Sequence, residues 1–502
     1  MKPTVVDPSQ FAALDLGSNS FHLLIAKETA HGFTTLDRVK DMVRLAEGLD
    51  ENGELSAVAC ERALESLAKF QQRLRSVPTD HVRVVGTSAL RRTRGANYFI
   101  HQAENTLQHK IEVVSGREEA RLIYLGARHT LAPTDTQRLI IDVGGGSTEL
   151  ILGNQSEPLL LESLDIGCVD IMQQCFIDNK ISQKNLNAAR LVVGLELEPY
   201  LTQFHRRGWD QAVGTSGTLA AIDHVLNFGA HPTGTIQYQS LSDLVTSLKR
   251  QQAANQIQLP GLSNRRSPVF LGGCVIVLNL MTLLEIDKIE VTDGALREGI
   301  LIDLLGRHHH HDVRDLSIHT LAKRFQVDES QSAAVSECAF KLYQACAEPW
   351  NIVSDDCQQL LKWACEVHEI GMAISHSQHH HHGSNILAAA DLPGFSKNDQ
   401  YLLSLLVRFH RRAIKGEQVA SLHQEQFSSL AQLIALLRIS VQLNRGRSFR
   451  DLQLIRVEAK TDKITLQFQR GWLKDHPLTH EDLKQEKDAL EKLGIALVLN
   501  EY

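Results

Sequence analysis

The chain has 502 residues, too many for one hydrophobic core, because single cores stop growing at about 250–300 residues. Its composition, 43% hydrophobic and 22% charged, is typical of a soluble globular protein. The formal net charge of −7 excludes attraction of a polyanion by the field of the whole molecule, so an anion site needs local clusters of Arg, Lys and backbone amides.

Cysteine usage and hydropathy predict a cytoplasmic protein. The eight cysteines form no CxxC pair, as expected of reduced thiols, and residues 1–10 lack the apolar core of a signal peptide. The longest apolar run, 269–284, is interrupted by Asn279 and is shorter than the ~20 residues that span a bilayer. We therefore predict a buried helix entered through Gly272 and Gly273, and leave peripheral membrane association open.

The first elements predicted in chain order are a hairpin and a helix. Residues 11–26 place an apolar run before Asp15, a turn containing Gly17, and a second apolar run after it. Apolar residues at spacings of three and four then predict an amphipathic helix at 57–74.

Two charged groups follow the short strands predicted at 82–85 and 111–114. The first group contains Arg91 in the densest basic cluster of this region, which suits a solvated face or an anion site. The second is the pair Glu118 and Glu119, in the first turn of a predicted helix, where a carboxylate complements the helix dipole. One glutamate suffices for that role, and the other is available to orient or deprotonate water.

A glycine-rich loop divides the next pair of strands, at 138–152. Asp142 ends an apolar run, three glycines leave backbone N–H groups open to an anion, and hydroxyl donors and Glu149 follow. Asp15 and Gly17 align with Asp142 and Gly144 in one register, so the hairpin is an internal repeat. Two copies predict two similar lobes across a cleft that takes phosphate and a divalent cation. The alternative is a pair of ordinary glycine-rich turns.

Two further strand-loop-helix segments complete this region. The strand predicted at 211–213 ends in the loop 214–218, and the strand at 289–291 ends in the loop 292–295. Such loops at helix N-termini suit an anion or a ribosyl group. The alternation of strands and helices predicts α/β lobes, and the absence of a GxxxxGK[ST] sequence excludes a P-loop protein.

Residues 306–440 are helical in period and rich in histidine, with tetrads at 308–311 and 379–382. His368-Glu369 resembles the signature of HD phosphohydrolases with glutamate in place of aspartate. Because that aspartate is replaced and no further ligands are identifiable, we favour a helical domain that keeps the fold without the metal-dependent chemistry.

The C-terminal part combines a basic stretch with a small α+β pattern. Residues 408–415 suit nucleic acid or a polyphosphate chain, and the 5% aromatic content argues against nucleic acid. Alternation predicts strands at 452–459, 464–468 and 495–499, with a helix at 480–492.

Five motifs together resemble the exopolyphosphatase/guanosine pentaphosphate phosphohydrolase family, which belongs to the superfamily of actin, sugar kinases and the large heat-shock ATPases. The motifs are DLGSNSF at 15–21, SGREEARLIY at 115–124, DVGGGSTEL at 142–150, GTSGT at 214–218 and DGALREG at 293–299. The resemblance implies an α/β fold of two actin-like (ribonuclease H-like) lobes, an all-α HD-like domain and a small α+β C-terminal domain. The implied boundaries are 1–125, 126–305, 306–440 and 441–502.

The resemblance also implies roles for individual residues. Glu119 matches the family's catalytic glutamate and would act as base, with Glu118 as the second choice. Asp142 and Glu149 would complete the catalytic set and hold Mg²⁺, with K⁺ as a further candidate cation. The residues expected to bind phosphate or substrate are Asp15, Ser18, Asn19, Arg91, Gly144, Gly145, Gly146, Ser147, Gly214, Ser216 and Gly217.

The hypothesis we favour from the sequence is an exopolyphosphatase that releases terminal orthophosphate from inorganic polyphosphate. The alternative is a guanosine pentaphosphate 5′-phosphohydrolase or a bifunctional enzyme. Three features favour polyphosphate as the substrate, but none is decisive: the uninterrupted GGGS, the basic stretch and a layout resembling the long exopolyphosphatases. A non-catalytic sensor of polyphosphate or alarmone is less favoured, because carboxylates beside phosphate do not help a protein that only binds anions. A sugar-kinase-like enzyme is less favoured because no sugar-binding motif is identifiable in the sequence. A homodimer without nucleic acid is expected from the resemblance.

Overall fold

The computed structural model describes residues 6–29, 32–50, 52–229, 234–251, 253–309, 311–414, 429–447 and 455–502. The chain forms two compact units, Met1–Asp312 and Val313–Tyr502. Within the described ranges, no helix is both long and apolar enough to cross a membrane. The tetrad at 308–311 and the stretch at 408–415 each include a residue outside these ranges.

A five-stranded sheet, in the order β3-β2-β1-β4-β5, begins the first unit. Its strands are β1 (Gln10–Leu16), β2 (Phe21–Thr29), β3 (Gly32–Asp41), β4 (Val82–Gly86) and β5 (Glu112–Val113). Its helices are α1 (Ala57–Leu74), α2 (Ser88–Arg92), α3 (Ala96–Leu107) and α4 (Gly116–Thr130). Strand β1 is apolar from Phe11 to Leu14 because both of its faces are buried: Leu14 packs in one core and Ala13 in another.

A six-stranded sheet, in the order β10-β11-β9-β6-β7-β8, forms the rest of this unit. Its strands are β6 (Arg138–Val143), β7 (Thr148–Gly153), β8 (Pro158–Leu164), β9 (Gln211–Thr215), β10 (Thr235–Gln237) and β11 (Lys288–Val291). Its helices are α5 (Cys168–Cys175), α6 (Gln183–Arg207), α7 (Ser216–Leu226), α8 (Tyr238–Leu248), α9 (Ser267–Leu283) and α10 (Leu296–His308). Both predicted hairpins are present, because β1–β2 and β6–β7 are antiparallel pairs.

The buried helix predicted in the longest apolar run is α9, but its predicted entry is wrong. The helix begins at Ser267, and Gly272 and Gly273 lie inside it. A Cβ at Gly272 would overlap the carbonyl of Cys168, and one at Gly273 would overlap Thr218. The two glycines therefore serve close packing against α5 and α7, not a helix start.

The crossing of α4 and α10 joins the two sheets of the first unit. A Cβ at Gly126 would overlap the carbonyl oxygen of Ala295, and one at Gly299 would overlap that of Leu122. Next to this crossing, the buried carboxylate of Asp303 accepts hydrogen bonds from three arginines at 2.5–3.0 Å. They are Arg83, Arg121 and Arg307.

The second unit is helical with one small sheet. Its helices are α11 (Val313–Arg324), α12 (Glu329–Cys346), α13 (Asp355–Val367), α14 (His379–Ala389), α15 (Lys397–Phe409), α16 (Leu430–Leu443), α17 (Trp472–Asp475) and α18 (Pro477–Glu491). The sheet has the order β12-β13-β14 and contains β12 (Arg456–Lys460), β13 (Lys463–Phe468) and β14 (Ala496–Glu501). Helices and sheet share one core that runs from Ile318 to Leu497, although the sequence separates them near residue 440.

Candidate functional site

A cavity of about 120 Å³ lies where the two glycine-rich hairpin loops of the first unit meet. Ten residues expected from the sequence to bind substrate or act in catalysis line it: Asp15, Ser18, Asn19, Glu119, Asp142, Gly144, Gly145, Ser147, Ser216 and Gly217. They come from four separate segments of the chain, so the fold brings the repeated loops together as their internal similarity predicts.

Local hydrogen bonds shape the second loop. The amide of Gly144 donates to the carbonyl of Ser147 at 2.9 Å, which closes the turn between β6 and β7. The first amides of α5, at Cys168 and Val169, donate to the carbonyls of Gly144 and Gly145 at 3.0 and 2.9 Å. A Cβ at Gly145 would lie only 3.1 Å from the Cβ of Ser18, so a glycine here lets the two loops approach.

The N-terminus of α7 closes the cavity with a strained residue. Ser216 has φ of 78°, a left-handed conformation that is uncommon for residues other than glycine. Its hydroxyl donates to the carbonyl of Val143 at 3.1 Å, which holds the turn against the end of β6. Such strain persists where the surroundings fix it, and it clusters at functional sites.

Four carboxylates lie close together here, and most are buried. Glu119, Asp142 and Glu149 are each 8% exposed or less, and Asp142 faces Glu149 across the β6–β7 ladder. Oδ1 of Asp15 is buried without a hydrogen-bond partner among the described residues. Burial, and then the charge of Glu119, raises the pKa of Asp142 to about 7 and the pKa values of Asp15 and Glu149 well above their usual range.

Such a set of carboxylates fits a divalent cation, which would lower their mutual repulsion. Among the residues that the structure describes, no three His, Cys, Asp or Glu side chains form a group able to hold a metal ion. Mg²⁺ commonly takes only one or two carboxylates and completes its coordination with water and substrate phosphate. Asp142 and Glu149 therefore fit the Mg²⁺ expected from the sequence.

The structure distinguishes the two adjacent glutamates at the start of α4. Glu119 lines the cavity and accepts a hydrogen bond of 2.6 Å from Nη1 of Arg91. Glu118 instead accepts two hydrogen bonds of 2.8 Å from Arg121, which also bonds Asp303. Only Glu119 is therefore placed to meet a substrate or a water molecule in the cavity.

Four of the expected residues lie behind the cavity lining. Arg91 holds Glu119, and Glu149 accepts a hydrogen bond of 2.9 Å from the hydroxyl of Ser163. The carbonyl of Gly146 accepts one of 3.0 Å from the Ser88 hydroxyl. Gly214 lies within β9, where an added Cβ would meet Leu219 and Ile289 at 2.8–2.9 Å. Their direct contact with substrate stays a prediction.

Apart from Arg91, the sequence did not single out the cationic side chains at this site. Arg266 and Arg297 line the cavity together with His22, and Lys40 lies opposite His22 in the neighbouring strand. Burial, and then the charges of Arg266 and Arg297, lowers the pKa of Lys40 to about 8. Burial, and then Lys40, lowers the pKa of His22 to about 3. Burial and the proximity of these cations therefore both disfavour a further positive charge on Lys40 and His22.

Glycine makes room for one of these arginines. A Cβ at Gly217 would overlap the guanidinium of Arg266, so the GTSGT loop and this arginine are matched in shape. Arg297 donates to Glu298 at 2.9 Å and lies 3.3 Å from Nδ1 of His22. Its position in the DGALREG motif was the one available signal. A cavity with clustered acids, backbone amides and two arginines suits a metal-bound polyphosphate group.

Comparisons with known proteins agree with this geometry. A sequence model of the Ppx/GppA phosphatase family matches residues 24–308, and one of Ppx/GppA phosphatase, domain III matches residues 313–487. The chain is 38% identical over 98% of both chains to the guanosine-5′-triphosphate,3′-diphosphate pyrophosphatase of Pseudoalteromonas translucida. It is 34% identical, also over 98% of both chains, to the protein of that name in Photobacterium profundum.

A solved structure is similar in fold to part of the chain. The crystal structure of an exopolyphosphatase from Cytophaga hutchinsonii has a TM-score of 0.55 and 24% identity, and the match covers 60% of this chain and 98% of that one. At this identity the similarity shows the fold alone.

Proposed function

The chain belongs to the Ppx/GppA phosphatase family, and on that premise we propose that it hydrolyses the 5′-terminal phosphate of guanosine pentaphosphate. The observation that carries the proposal is similarity along 98% of two relatives named for this substrate. The comparisons thus favour the alternative stated in the sequence analysis over the exopolyphosphatase that we preferred there. Polyphosphate hydrolysis becomes the competing outcome of the test.

Binding of the terminal phosphate is assigned to groups that line the cavity. Backbone amides of the two glycine-rich loops and the hydroxyls of Ser18 and Ser147 supply donors, while Arg266 and Arg297 supply positive charge. Asp142 and Glu149 would hold Mg²⁺, which would neutralise charge on the phosphate oxygens when bound. The positive charges of Arg266 and Arg297 oppose the negative charges of the four nearby carboxylates, which alone would repel the substrate.

Glu119 is assigned the role of general base. It accepts a proton from a water molecule whose oxygen attacks the γ-phosphorus, while the bond from that phosphorus to the bridging β–γ oxygen breaks. The products are orthophosphate and guanosine tetraphosphate, whose β-phosphate takes the electron pair. The hydrogen bond of 2.6 Å from Arg91 fixes the orientation of the Glu119 carboxylate.

The proposal is tested by measuring phosphate release from guanosine pentaphosphate and from long polyphosphate side by side, with and without Mg²⁺. We expect kcat/KM to be at least about tenfold higher for guanosine pentaphosphate, a difference of about 1.4 kcal/mol in transition-state binding. The Asp142→Asn variant serves as the control for contaminating phosphatases. Comparable or higher kcat/KM for polyphosphate would contradict the proposal.

A further inference from the structure

A second cavity, of about 660 Å³, lies within the second unit and has no part in the hydrolysis described above. Its lining includes four histidines and several arginines, among them His368, His379, His410, Arg411, Arg412 and Arg447. The altered HD signature and the basic stretch noted in the sequence therefore meet in one place.

Two buried imidazoles in this cavity each have one ring nitrogen without a hydrogen-bond partner among the described residues. Nδ1 of His368 bonds the carbonyl of Cys365 at 2.8 Å, and Nδ1 of His410 bonds that of Val407 at 2.7 Å. Because a carbonyl only accepts, each Nδ1 carries the proton and each Nε2 presents a lone pair. Both residues are 1% exposed, and both Nε2 atoms lack a partner among the described residues.

These rings can accept hydrogen bonds from a ligand. Burial, and then the neighbouring His368, lowers the pKa of His410 well below its usual range, so the imidazole is neutral near pH 7. A buried acceptor without a partner is unfavourable, and native proteins rarely leave one so. Hydroxyl or amino donors are the chemistry that fits two neutral Nε2 acceptors.

The same cavity contains positive charge in excess of its acidic partners. Three arginines of the lining are neutralised in pairs at 2.5–2.9 Å: Arg438 with Glu486, Arg445 with Asp482, and Arg447 with Glu369. Arg411 forms no salt bridge with a described carboxylate, and its Nη1 lies 3.1 Å from both ring nitrogens of His379. Burial, and then Arg412, lowers the pKa of Arg411. Asp488 and Lys492, also in the lining, offset one another in charge.

We propose that this cavity binds a small phosphate monoester bearing hydroxyl or amino groups, such as a sugar phosphate or a nucleoside monophosphate. Arg411 and Arg412 would bind the phosphate, because guanidinium groups match phosphate oxygens in geometry and charge. The Nε2 atoms of His368 and His410 would accept from the hydroxyl or amino groups. The site is separate from that of the proposed hydrolysis, because the two cavities share no lining residue.

The test uses calorimetric titration of the full-length protein with ribose 5-phosphate, GMP and inorganic phosphate. Arg411→Gln removes a phosphate contact, and His410→Asn keeps a donor for the Val407 carbonyl while removing the Nε2 acceptor. Arg324→Gln, a cation of the same unit outside the lining, is the control. Melting temperatures establish that each variant is folded.

We expect both cavity variants to bind at least one monoester roughly 10- to 100-fold more weakly than the wild type, the range for a lost charge-assisted hydrogen bond. The control variant should bind the monoesters as the wild type does. All variants should hydrolyse guanosine pentaphosphate with an unchanged kcat. Inorganic phosphate should bind more weakly than the monoester. Undiminished binding in both variants, no binding of either monoester, or Zn²⁺ alone binding through His410 in place of the monoesters would overturn the proposal.

Discussion

Glu118 and Glu119 are neighbours in sequence with opposite tasks. A helix turns about 100° per residue, so the two carboxylates leave α4 in different directions, one toward Arg121 and the other into the cavity. Sequence composition treats them alike, because both complement the N-terminus of α4. The distinction is a property of the packing around the helix.

Glu119→Gln should lower kcat by about 10²–10⁴-fold and leave KM within a few-fold, since general-base help acts mainly in the transition state. Glu118→Gln should instead lower thermal stability, because it removes charge from a buried network with Arg121, and should keep most of the turnover. Steady-state kinetics and melting curves of both variants check this. The reverse pattern, with Glu118→Gln inactive and Glu119→Gln active, would show that the base is assigned wrongly.

Lys40 should make kcat/KM depend on pH in the alkaline range. Burial, and then Arg266 and Arg297, lowers its pKa to about 8 in the free enzyme, so its positive charge is present below that pH and is lost above it. We expect kcat/KM for an anionic substrate to fall as pH rises through about 8. The Lys40→Gln variant should show a lower kcat/KM that no longer changes there. If kcat/KM of the wild type does not change between pH 7 and 9, Lys40 does not contribute to attracting the substrate.

The residues that the sequence could and could not reveal differ in the range of their contacts. The hairpin loops follow from local signals, an acid and glycines between apolar runs, and their repetition predicted that they meet. Arg266, Arg297 and Lys40 come from distant segments without a shared local pattern, so only tertiary packing brings them to the loops. The spacing of residues along the sequence does not show which distant segments meet in the fold.

The crossing of α4 and α10 should respond sharply to added volume. Gly299→Ala would drive a Cβ into the carbonyl of Leu122, and we expect a loss of roughly 1–3 kcal/mol in the free energy of unfolding. Activity should fall as well, because Glu119 lies in the first turn of α4 and Arg297 in the first turn of α10. Gly194→Ala, in α6 with open space around its Cα, is the control and should be neutral or stabilising by about 0.5–1 kcal/mol. Chemical denaturation of both variants provides the measurement.

Equal effects of the two substitutions would show that helix propensity, and not the close contact, governs Gly299.

The structure also explains why the glycines of α9 misled the sequence analysis. A pair of glycines near the beginning of an apolar run resembles a helix entry, but here they provide contact with Cys168 and Thr218. Propensity and packing place glycine for different reasons, and one sequence does not separate them.

Asp303 should contribute stability that depends on pH. Burial alone would raise its pKa, but the guanidinium groups of Arg121, Arg83 and Arg307 lower it well below its usual range. A lowered pKa stabilises the fold above the unfolded-state value of about 4, and that contribution is lost as pH falls below it. Asp303→Asn should therefore cost about 3–5 kcal/mol at pH 7, and the difference from wild type should shrink below about pH 4.

Urea denaturation at pH 7, 5 and 3.5 measures this difference. Asp37→Asn is the matched control, because Asp37 also pairs with an arginine, Arg73, but its side chain is 37% exposed. An exposed pair is worth about 0–1 kcal/mol, so little change is expected at any pH. A constant difference between wild type and Asp303→Asn over this range would mean that the charge of Asp303 is not what stabilises the crossing.

The two compact units divide the chemistry of the chain. The first contains the loops, the acid cluster and Glu119, whereas in the second Glu369 of the altered HD signature pairs with Arg447 at 2.9 Å. The sequence predicted the change in character near residue 306, and the structure separates the units after Asp312. The sequence did not predict that the helices and the small sheet share a core, because that core is assembled from residues far apart in the chain.

The most direct measurement of the proposed reaction is single-turnover hydrolysis of guanosine pentaphosphate in H₂¹⁸O, with the wild type and Glu119→Gln compared by mass spectrometry. Attack of water on the γ-phosphorus places ¹⁸O in the released orthophosphate and none in guanosine tetraphosphate. We expect that labelling pattern in the wild type and a rate about 10²–10⁴-fold lower in Glu119→Gln. Label in the nucleotide product, or equal rates in the two proteins, would contradict the assignment of the reaction to Glu119 and this cavity.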